Sequence, residues 1–145
     1  MVIWVLQRFV WVLSFGLVVT ALAGYTGRGG AWAERVGYSA LGMVIYPAVT
    51  RRLASEEMMV RFTGSGDEHV LGLSEDFVKR FELQTVTPRP LREEGSGADV
   101  RLSFAAKGPP PHIVNLTLRP RASGAMETAL TVDGGALPVA LMILP

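Results

Sequence analysis

Cysteine is absent from this chain of 145 residues, and histidine occurs only twice. The lack of cysteine excludes disulfide frameworks, thiolate metal sites and cysteine nucleophiles. Charge is sparse and balanced, because 14 Lys and Arg stand against 13 Asp and Glu and charged residues make up 19% of the chain. A formal net charge of +1 leaves no broad basic surface for phosphates, so we expect no nucleic-acid partner. The length suits one ordinary domain with a short appendage.

The motifs of common enzymes are missing as well. Ser65 and Ser96 lie in Gly-Ser-Gly turns that lack the strand-to-helix elbow of a hydrolase nucleophile. Neither of these Gly-rich stretches carries the Lys of a phosphate-binding loop. The acidic pairs at 56–57 and 93–94 are typical of solvated charge rather than of a facing acid and base. We therefore predict no enzymatic activity, no catalytic or metal site and no bound cofactor.

The two histidines form no metal-binding motif in the sequence. His69 follows two acidic residues, but neighbouring residues on a strand point to opposite faces, and no second His stands at a ligand spacing. We predict that His69 lies in a solvated turn. His112 follows three prolines at the start of an expected strand, where we predict a surface or edge position.

Hydrophobic residues make up 49% of the chain, and their excess lies at the amino terminus. Residues 9–27 carry no charge, and residues 1–6 are apolar too. A helix of about 20 residues crosses a hydrocarbon core of about 30 Å. We predict that residues 1–27 form a transmembrane helix that remains in the lipid bilayer as a signal anchor. The expected anchors at the membrane interface are Trp4, Arg8, Trp11, Tyr25 and Trp32.

A cleaved secretory signal is the alternative interpretation of this segment. Residues 21–23 have the small-x-small form that signal peptidase accepts. Arg8 is the only charged side chain ahead of a run longer than a typical signal core, so we favour retention. The positive-inside rule does not favour an outside carboxyl-terminal domain, because Arg28 and Arg35 follow the segment. The signal-like layout does favour it, and we expect one pass through the inner membrane with a periplasmic carboxyl-terminal domain.

Small residues recur at every fourth position within the expected span. Gly16, Thr20 and Gly24 therefore fall near one face of a helix, where another helix can approach closely. We predict that this face docks against a larger integral-membrane protein complex. No His lies in the span, so the helix offers no imidazole to haem or chlorophyll metal.

The rest of the chain is typical of a β domain. We expect a juxtamembrane linker at 28–42 and the β domain at 43–145, because the apolar run 36–50 is too short to span a membrane and contains Pro47. Short apolar runs between turn residues predict strands. These runs are 43–49, 58–62, 70–73, 81–86, 100–104, 114–118, 126–132 and 137–144.

One short helix and one unusual strand complete the pattern. Ser74 before Glu75 and Asp76 is typical of a helix N-cap and predicts a helix over 75–80. The last strand, 137–144, is apolar on both faces, so we expect cover or a partner on each of them. Together these patterns predict a mainly β protein, in which a transmembrane helix precedes a small antiparallel sandwich of immunoglobulin-like size.

Several segments carry a resemblance to other membrane proteins. The strand 46–51, the turn 73–77, the segment 86–90 and a final strand ending in Pro145 resemble a loose group of bacterial single-pass proteins with no assigned activity. The resemblance covers most of residues 43–145 and implies no catalytic residue. By architecture alone, the chain is similar to small accessory subunits of photosynthetic and respiratory membrane complexes.

These observations lead to three hypotheses of function. The first is a non-catalytic accessory subunit, whose helix docks in the membrane and whose β domain braces the extracytoplasmic face of a larger complex. The alternative is a membrane-tethered ligand-binding or sensor module, in which a cleft between the sheets or the loops near His69 and His112 holds a ligand or a metal. A tethered hydrolase that uses Ser65, Ser96, His69 or His112 is the weakest of the three.

Overall fold

The chain forms one apolar helix and one β domain in the computed structural model, which describes residues 2–22, 33–96 and 99–145. The β domain comprises Arg35–Pro145. This organisation confirms the mainly β fold class predicted from the sequence.

The amino-terminal helix, α1 (Val2–Leu22), contains a segment, Trp4–Leu22, that is long and apolar enough to cross a membrane. Its large apolar side chains are exposed. Apolar residues surround the whole helix, as is typical of helices that face lipid. The helix begins seven residues before the charge-free stretch that starts at Phe9, and the end of the predicted span, residues 23–27, lies outside the described residues.

The β domain consists of two sheets, and most of their strands follow the apolar runs of the sequence. One sheet has the order β1-β2-β4-β9-β6, and the other has the order β3-β11-β10-β5-β8-β7. The strands are β1 (Glu34–Ser39), β2 (Gly42–Pro47), β3 (Val49–Arg51), β4 (Glu56–Phe62), β5 (Glu68–Leu73), β6 (Phe81–Thr87), β7 (Arg92–Ser96), β8 (Asp99–Ala105), β9 (His112–Pro120), β10 (Gly124–Val132) and β11 (Gly135–Leu144).

Alternate residues of the central strands point into one core between the sheets. In β9, Val114, Leu116 and Leu118 are buried while Asn115 is exposed, as the alternation predicted. In the second sheet, Leu71 and Leu130 are completely buried. Because each such side chain contributes about 1.5–3 kcal/mol when it is fully removed from water, this core is the main source of stability.

The predicted strand 43–49 is divided between the two sheets. β2 ends at Pro47, which lacks a backbone N–H for the ladder, and the chain then turns at Ala48 into the other sheet. There β3 pairs with β11 in parallel, with Val49 opposite Met142. The second sheet is therefore mixed rather than purely antiparallel, because a strand that crosses the corner of a sandwich enters the second sheet in the direction it already has.

The predicted linker 28–42 is wrong for its second half, because β1 and the start of β2 lie there. β1 is mostly exposed and gives no apolar alternation. It is nevertheless fixed against the last strand. The Arg35 guanidinium donates to the carbonyl of Ala140 at 3.2 Å, and a Cβ on Gly37 would collide with the Leu137 side chain.

Two more elements differ from the prediction. β7, Arg92–Ser96, pairs with β8 as an edge hairpin in a stretch where no strand was predicted. α2 (Glu75–Arg80) has the predicted bounds, and Lys79 donates to Glu75 one turn earlier, a hydrogen bond that raises the Lys79 pKa above its ordinary value. However, Ser74 does not cap this helix with its side chain. The Ser74 hydroxyl lies 2.6 Å from that of Thr128, and the Asp99 carboxylate accepts from the Glu75 N–H instead.

The last strand, β11, is covered on one face only. Leu137, Val139, Leu141 and Ile143 are buried in the core. On the opposite face, Met142 and Leu144 remain 43% and 39% exposed. Next to them across the parallel ladder, Val49 is 54% exposed. The sandwich therefore leaves an apolar patch at the outer edge of the second sheet, which we call the Met142 patch (Val49, Met142 and Leu144).

Candidate functional site

The two histidines lie together at one end of the sandwich. His69 is only 1% exposed, so its predicted position in a solvated turn is wrong. It belongs to β5, where it shares the inward face with Leu71 and Leu73. The alternation of that strand was the signal that could have identified it as buried.

Asp133 holds the His69 ring from the turn between β10 and β11. The Nδ1 atom of His69 lies 2.7 Å from Oδ2 of Asp133, and the Val70 N–H donates to Oδ1 at 2.7 Å. The Asp133 N–H donates in return to the Val70 carbonyl at 2.9 Å. Asp133 and Gly134 both have positive φ, as a two-residue hairpin turn requires, and Asp is one of the few side chains that tolerate this conformation. The hairpin turn thus places a carboxylate on a buried imidazole.

His112 extends this chain of contacts on the other side of His69. Its Nδ1 atom lies 2.9 Å from Nε2 of His69, and its Nε2 atom lies 3.1 Å from the carbonyl oxygen of Gly108. His112 begins β9, which lies between β4 and β6, so it occupies an interior strand and is half-buried rather than at an edge. We call His69, His112, Asp133 and the Gly108 carbonyl the histidine network.

An aromatic ring covers the buried histidine. The Phe62 and His69 rings are stacked, with centroids 4.6 Å apart and planes 19° apart. Phe62 is completely buried, and it lies opposite His112 in the antiparallel pair of β4 and β9. The network is therefore enclosed on its core side and reaches solvent through Asp133, whose side chain is 19% exposed.

The chemistry open to this network is limited, because all four ring nitrogens have partners. A histidine that activates a serine or binds a metal needs a ring nitrogen directed at that group. Here each of those nitrogens faces Asp133, the other ring or Gly108. Within residues 2–22, 33–96 and 99–145, no group of three or more His, Asp or Glu side chains is arranged to hold a metal ion. The arrangement is suited to hold and share protons.

A separate shallow cavity of about 300 Å³ lies on the outer face of the second sheet. It forms where Gly72 of β5 carries no side chain between Arg101 of β8 and Thr131 of β10, its partners in the ladder. Ser74 and Asp99 line one end of it. This volume is at the lower limit of small-molecule sites, and Arg101 gives it a cationic wall.

The residues predicted to act in the membrane lie in α1, in so far as they are described. The Thr20 hydroxyl donates to the Gly16 carbonyl at 2.6 Å, so Thr20 leaves no unsatisfied group on its face. A Cβ on Gly16 would meet nothing within 4 Å. The Arg8 guanidinium lies 3.7 Å from the centre of the Trp4 ring, a cation–π contact between two predicted interface anchors.

Of the other predicted membrane residues, the described part of the chain includes Trp11 alone. Trp11 lies within the apolar segment Trp4–Leu22 rather than near either end of it. Gly24, Tyr25 and Trp32 lie outside the described residues. The docking and anchoring roles of all these residues stay predictions.

Comparison with known proteins identifies no family. No protein-family model matches the chain, and no curated protein matches it. Among solved structures, the chain is similar to the cohesin module from Clostridium perfringens ATCC13124 family 33 glycoside hydrolase, with 17% identity and a TM-score of 0.48. The match covers 75% of this chain and 97% of that chain. It is a likeness of fold alone.

Proposed function

We propose that this protein is a non-catalytic, membrane-anchored accessory subunit. In this proposal, α1 crosses the membrane and docks against a larger integral-membrane complex, and the β domain braces that complex on the extracytoplasmic side. A photosynthetic or respiratory complex is the class of partner that the architecture suggests. The observation that carries the proposal is the Gly16–Thr20 face of α1, described next.

The Gly16–Thr20 face is suited to close helix contact for two reasons. Gly16 presents no side chain, so a partner backbone can approach it closely. Thr20 directs its hydroxyl to the Gly16 carbonyl, so the face carries no polar group that would need a partner in lipid. The Met142 patch supports the same proposal from the β domain, since an apolar surface of this kind is typical of an interaction site.

Site-specific photo-crosslinking tests the docking face. Val12 lies one turn before Gly16 on the same side of α1, and Val18 lies on the opposite side. A photoreactive amino acid at position 12 is expected to crosslink a defined membrane protein in native membranes. The same probe at position 18 is the matched control and should label lipid only. Identical products from both positions, or no protein product from position 12, would refute the docking proposal.

The extracytoplasmic location of the β domain is tested by chemical labelling. Because the chain lacks cysteine, one introduced Cys can be labelled without background. Leu91 is 67% exposed in the β domain and makes a suitable position. A membrane-impermeant maleimide should modify the Leu91→Cys variant after the outer membrane alone has been opened. Labelling that requires rupture of the inner membrane would place the β domain in the cytoplasm.

A second candidate function is a tethered module that binds a small anion, and the cavity at Gly72 favours it. Arg101 supplies a cationic group, and the missing side chain at Gly72 supplies space. Inorganic phosphate and small carboxylates are the probes. A ligand at a hundredfold excess over its Kd should stabilise the fold by about 2.7 kcal/mol. The effect should be lost in Arg101→Gln and kept in Arg92→Gln, and its absence in the wild type for every probe would exclude this class of ligand.

A further inference from the structure

The histidine network has a fixed number of protons when all its hydrogen bonds are made. An ionised carboxylate and a peptide carbonyl only accept hydrogen bonds. The contact with Asp133 therefore needs a proton on His69 Nδ1, and the contact with Gly108 needs a proton on His112 Nε2. The 2.9 Å contact between the two rings needs a third proton, on either His69 Nε2 or His112 Nδ1.

Three ring protons are one more than two neutral imidazoles carry. We propose that the His69–His112 pair binds this extra proton as a shared monocation facing Asp133, and that release of the proton frees the loop 106–111 from the end of the sandwich. The proposal is independent of the accessory role, because it concerns the β domain alone. It assigns to the network a proton-binding site that couples acidity to the shape of one loop.

The surroundings of the pair favour a single positive charge. Asp133 supplies one negative charge at 2.7 Å, and the face of the stacked Phe62 ring attracts a cation. The other charged residues on the neighbouring elements point elsewhere. Glu68 and Arg61 precede His69 and Phe62 on the opposite faces of their strands, and Asp67 and Lys107 are exposed in the adjoining loops.

A neutral pair cannot keep all three hydrogen bonds. Two ring protons leave one of the three contacts without its proton: the contact with Asp133, the contact between the rings or the contact with Gly108. The negative charge of Asp133 keeps a proton on His69 Nδ1, and a proton between the rings satisfies a nitrogen of each imidazole, so in our proposal the Gly108 contact is the one that is lost. The His112–Gly108 contact holds a loop rich in proline, and proline has no backbone N–H to replace it. Pro110 and Pro111 of this loop line a second cavity, of about 320 Å³, together with Arg61 and Thr63. Loss of the proton therefore alters the wall of that cavity.

The Asp133→Asn variant separates the extra proton from the hydrogen bonds. Asn also tolerates positive φ, and its carbonyl can accept from the Val70 N–H while its amide donates to His69 Nδ1. His69 Nε2 then donates to His112 Nδ1, and His112 Nε2 donates to Gly108. This variant keeps every contact with two ring protons, so its pair is neutral.

Nitrogen NMR of the full chain in detergent micelles counts the ring protons directly. With ¹⁵N-labelled histidine at about pH 6.5, the wild type should show three protonated ring nitrogens. Asp133→Asn should show two. A wild-type count of two or four would overturn the proposal, as would equal counts in the two proteins. The wild-type count decides the matter even if the variant does not fold.

Hydrogen exchange tests the consequence for the loop. After correction for the intrinsic rate, the backbone amides of residues 106–108, which precede three prolines that carry no N–H, should exchange at least several-fold faster at about pH 8.5 than at about pH 6.5 in the wild type. The Asp133→Asn protein should show no such change, and peptides from the β7–β8 hairpin serve as an internal reference. A wild-type loop whose protection is independent of pH would contradict the release step.

Discussion

Asp133 and His69 are separated by 64 positions in the chain, yet a 2.7 Å contact joins Oδ2 of the carboxylate to Nδ1 of the ring. The tight turn after β10 supplies the carboxylate, and the inward face of β5 supplies the ring.

Removing the Asp133 side chain should destabilise the β domain. Asp133→Ala leaves the Val70 N–H and the buried His69 ring without their acceptor, and we expect a loss of about 2–4 kcal/mol in the free energy of unfolding. Denaturant unfolding followed by circular dichroism measures it. Asp67→Ala, at an exposed position, is the control and should change the free energy by less than about 0.5 kcal/mol. Equal losses in both variants would show that the contacts of Asp133 do not contribute to the free energy of unfolding.

The hairpin turn itself depends on Gly134. This residue has φ of 86°, a conformation that costs an L side chain about 1–2 kcal/mol. Gly134→Ala should therefore lower the free energy of unfolding by about that amount. Gly95→Ala is a matched control, because a Cβ there meets nothing within 4 Å and its φ is not positive. The prediction fails if the Gly95 variant is as unstable as the Gly134 variant.

The core between the sheets should respond to truncation far more than the surface does. Leu71 is completely buried, whereas Leu91 is 67% exposed. Leu71→Ala should cost about 2–5 kcal/mol, because the cavity it leaves adds to the lost burial. Leu91→Ala should cost less than about 0.5 kcal/mol. Similar midpoints in denaturant for the two variants would mean that the sheets do not enclose a packed core.

Membrane retention should depend on the centre of α1. An arginine in place of Leu13 costs about 2.5–3.5 kcal/mol on insertion at the middle of a helix. The Leu13→Arg protein should therefore shift from the carbonate-resistant membrane fraction to the soluble or degraded fraction. Leu13→Met keeps the apolar character and should remain in the membrane. If the Leu13→Arg protein is retained as fully as Leu13→Met, α1 does not hold the protein in lipid.

Much of the fold was predictable because it depends on local periodicity. The alternation around Val114 in β9 and around Leu102 in β8 identified strands and their buried faces correctly. The acidic residues that follow Ser74 identified the bounds of α2, although the cap came from Asp99, a residue distant in sequence. Local chemistry thus predicted the elements better than it predicted their contacts.

The parts of the fold and of the site that the sequence did not predict depend on interactions between residues far apart in the chain. β1 and β7 are edge strands with mostly polar residues, so their pairing with neighbours leaves no apolar alternation to read. The histidine network joins β5, β9 and a hairpin turn, and 43 positions separate His69 from His112. No spacing rule relates residues that meet only because two sheets pack together. The burial of His69 alone was available from its strand, since it shares a face with Leu71.

Native sizing of the wild-type protein beside Gly16→Ile tests the accessory role most directly. In a gentle detergent that keeps large membrane complexes intact, we expect the wild type to migrate within a larger assembly that contains a second, defined membrane protein. Gly16→Ile fills the docking face and should release the chain, while Val18→Ile on the opposite face should not. A wild-type protein that migrates alone from membranes whose complexes are demonstrably intact would contradict the account.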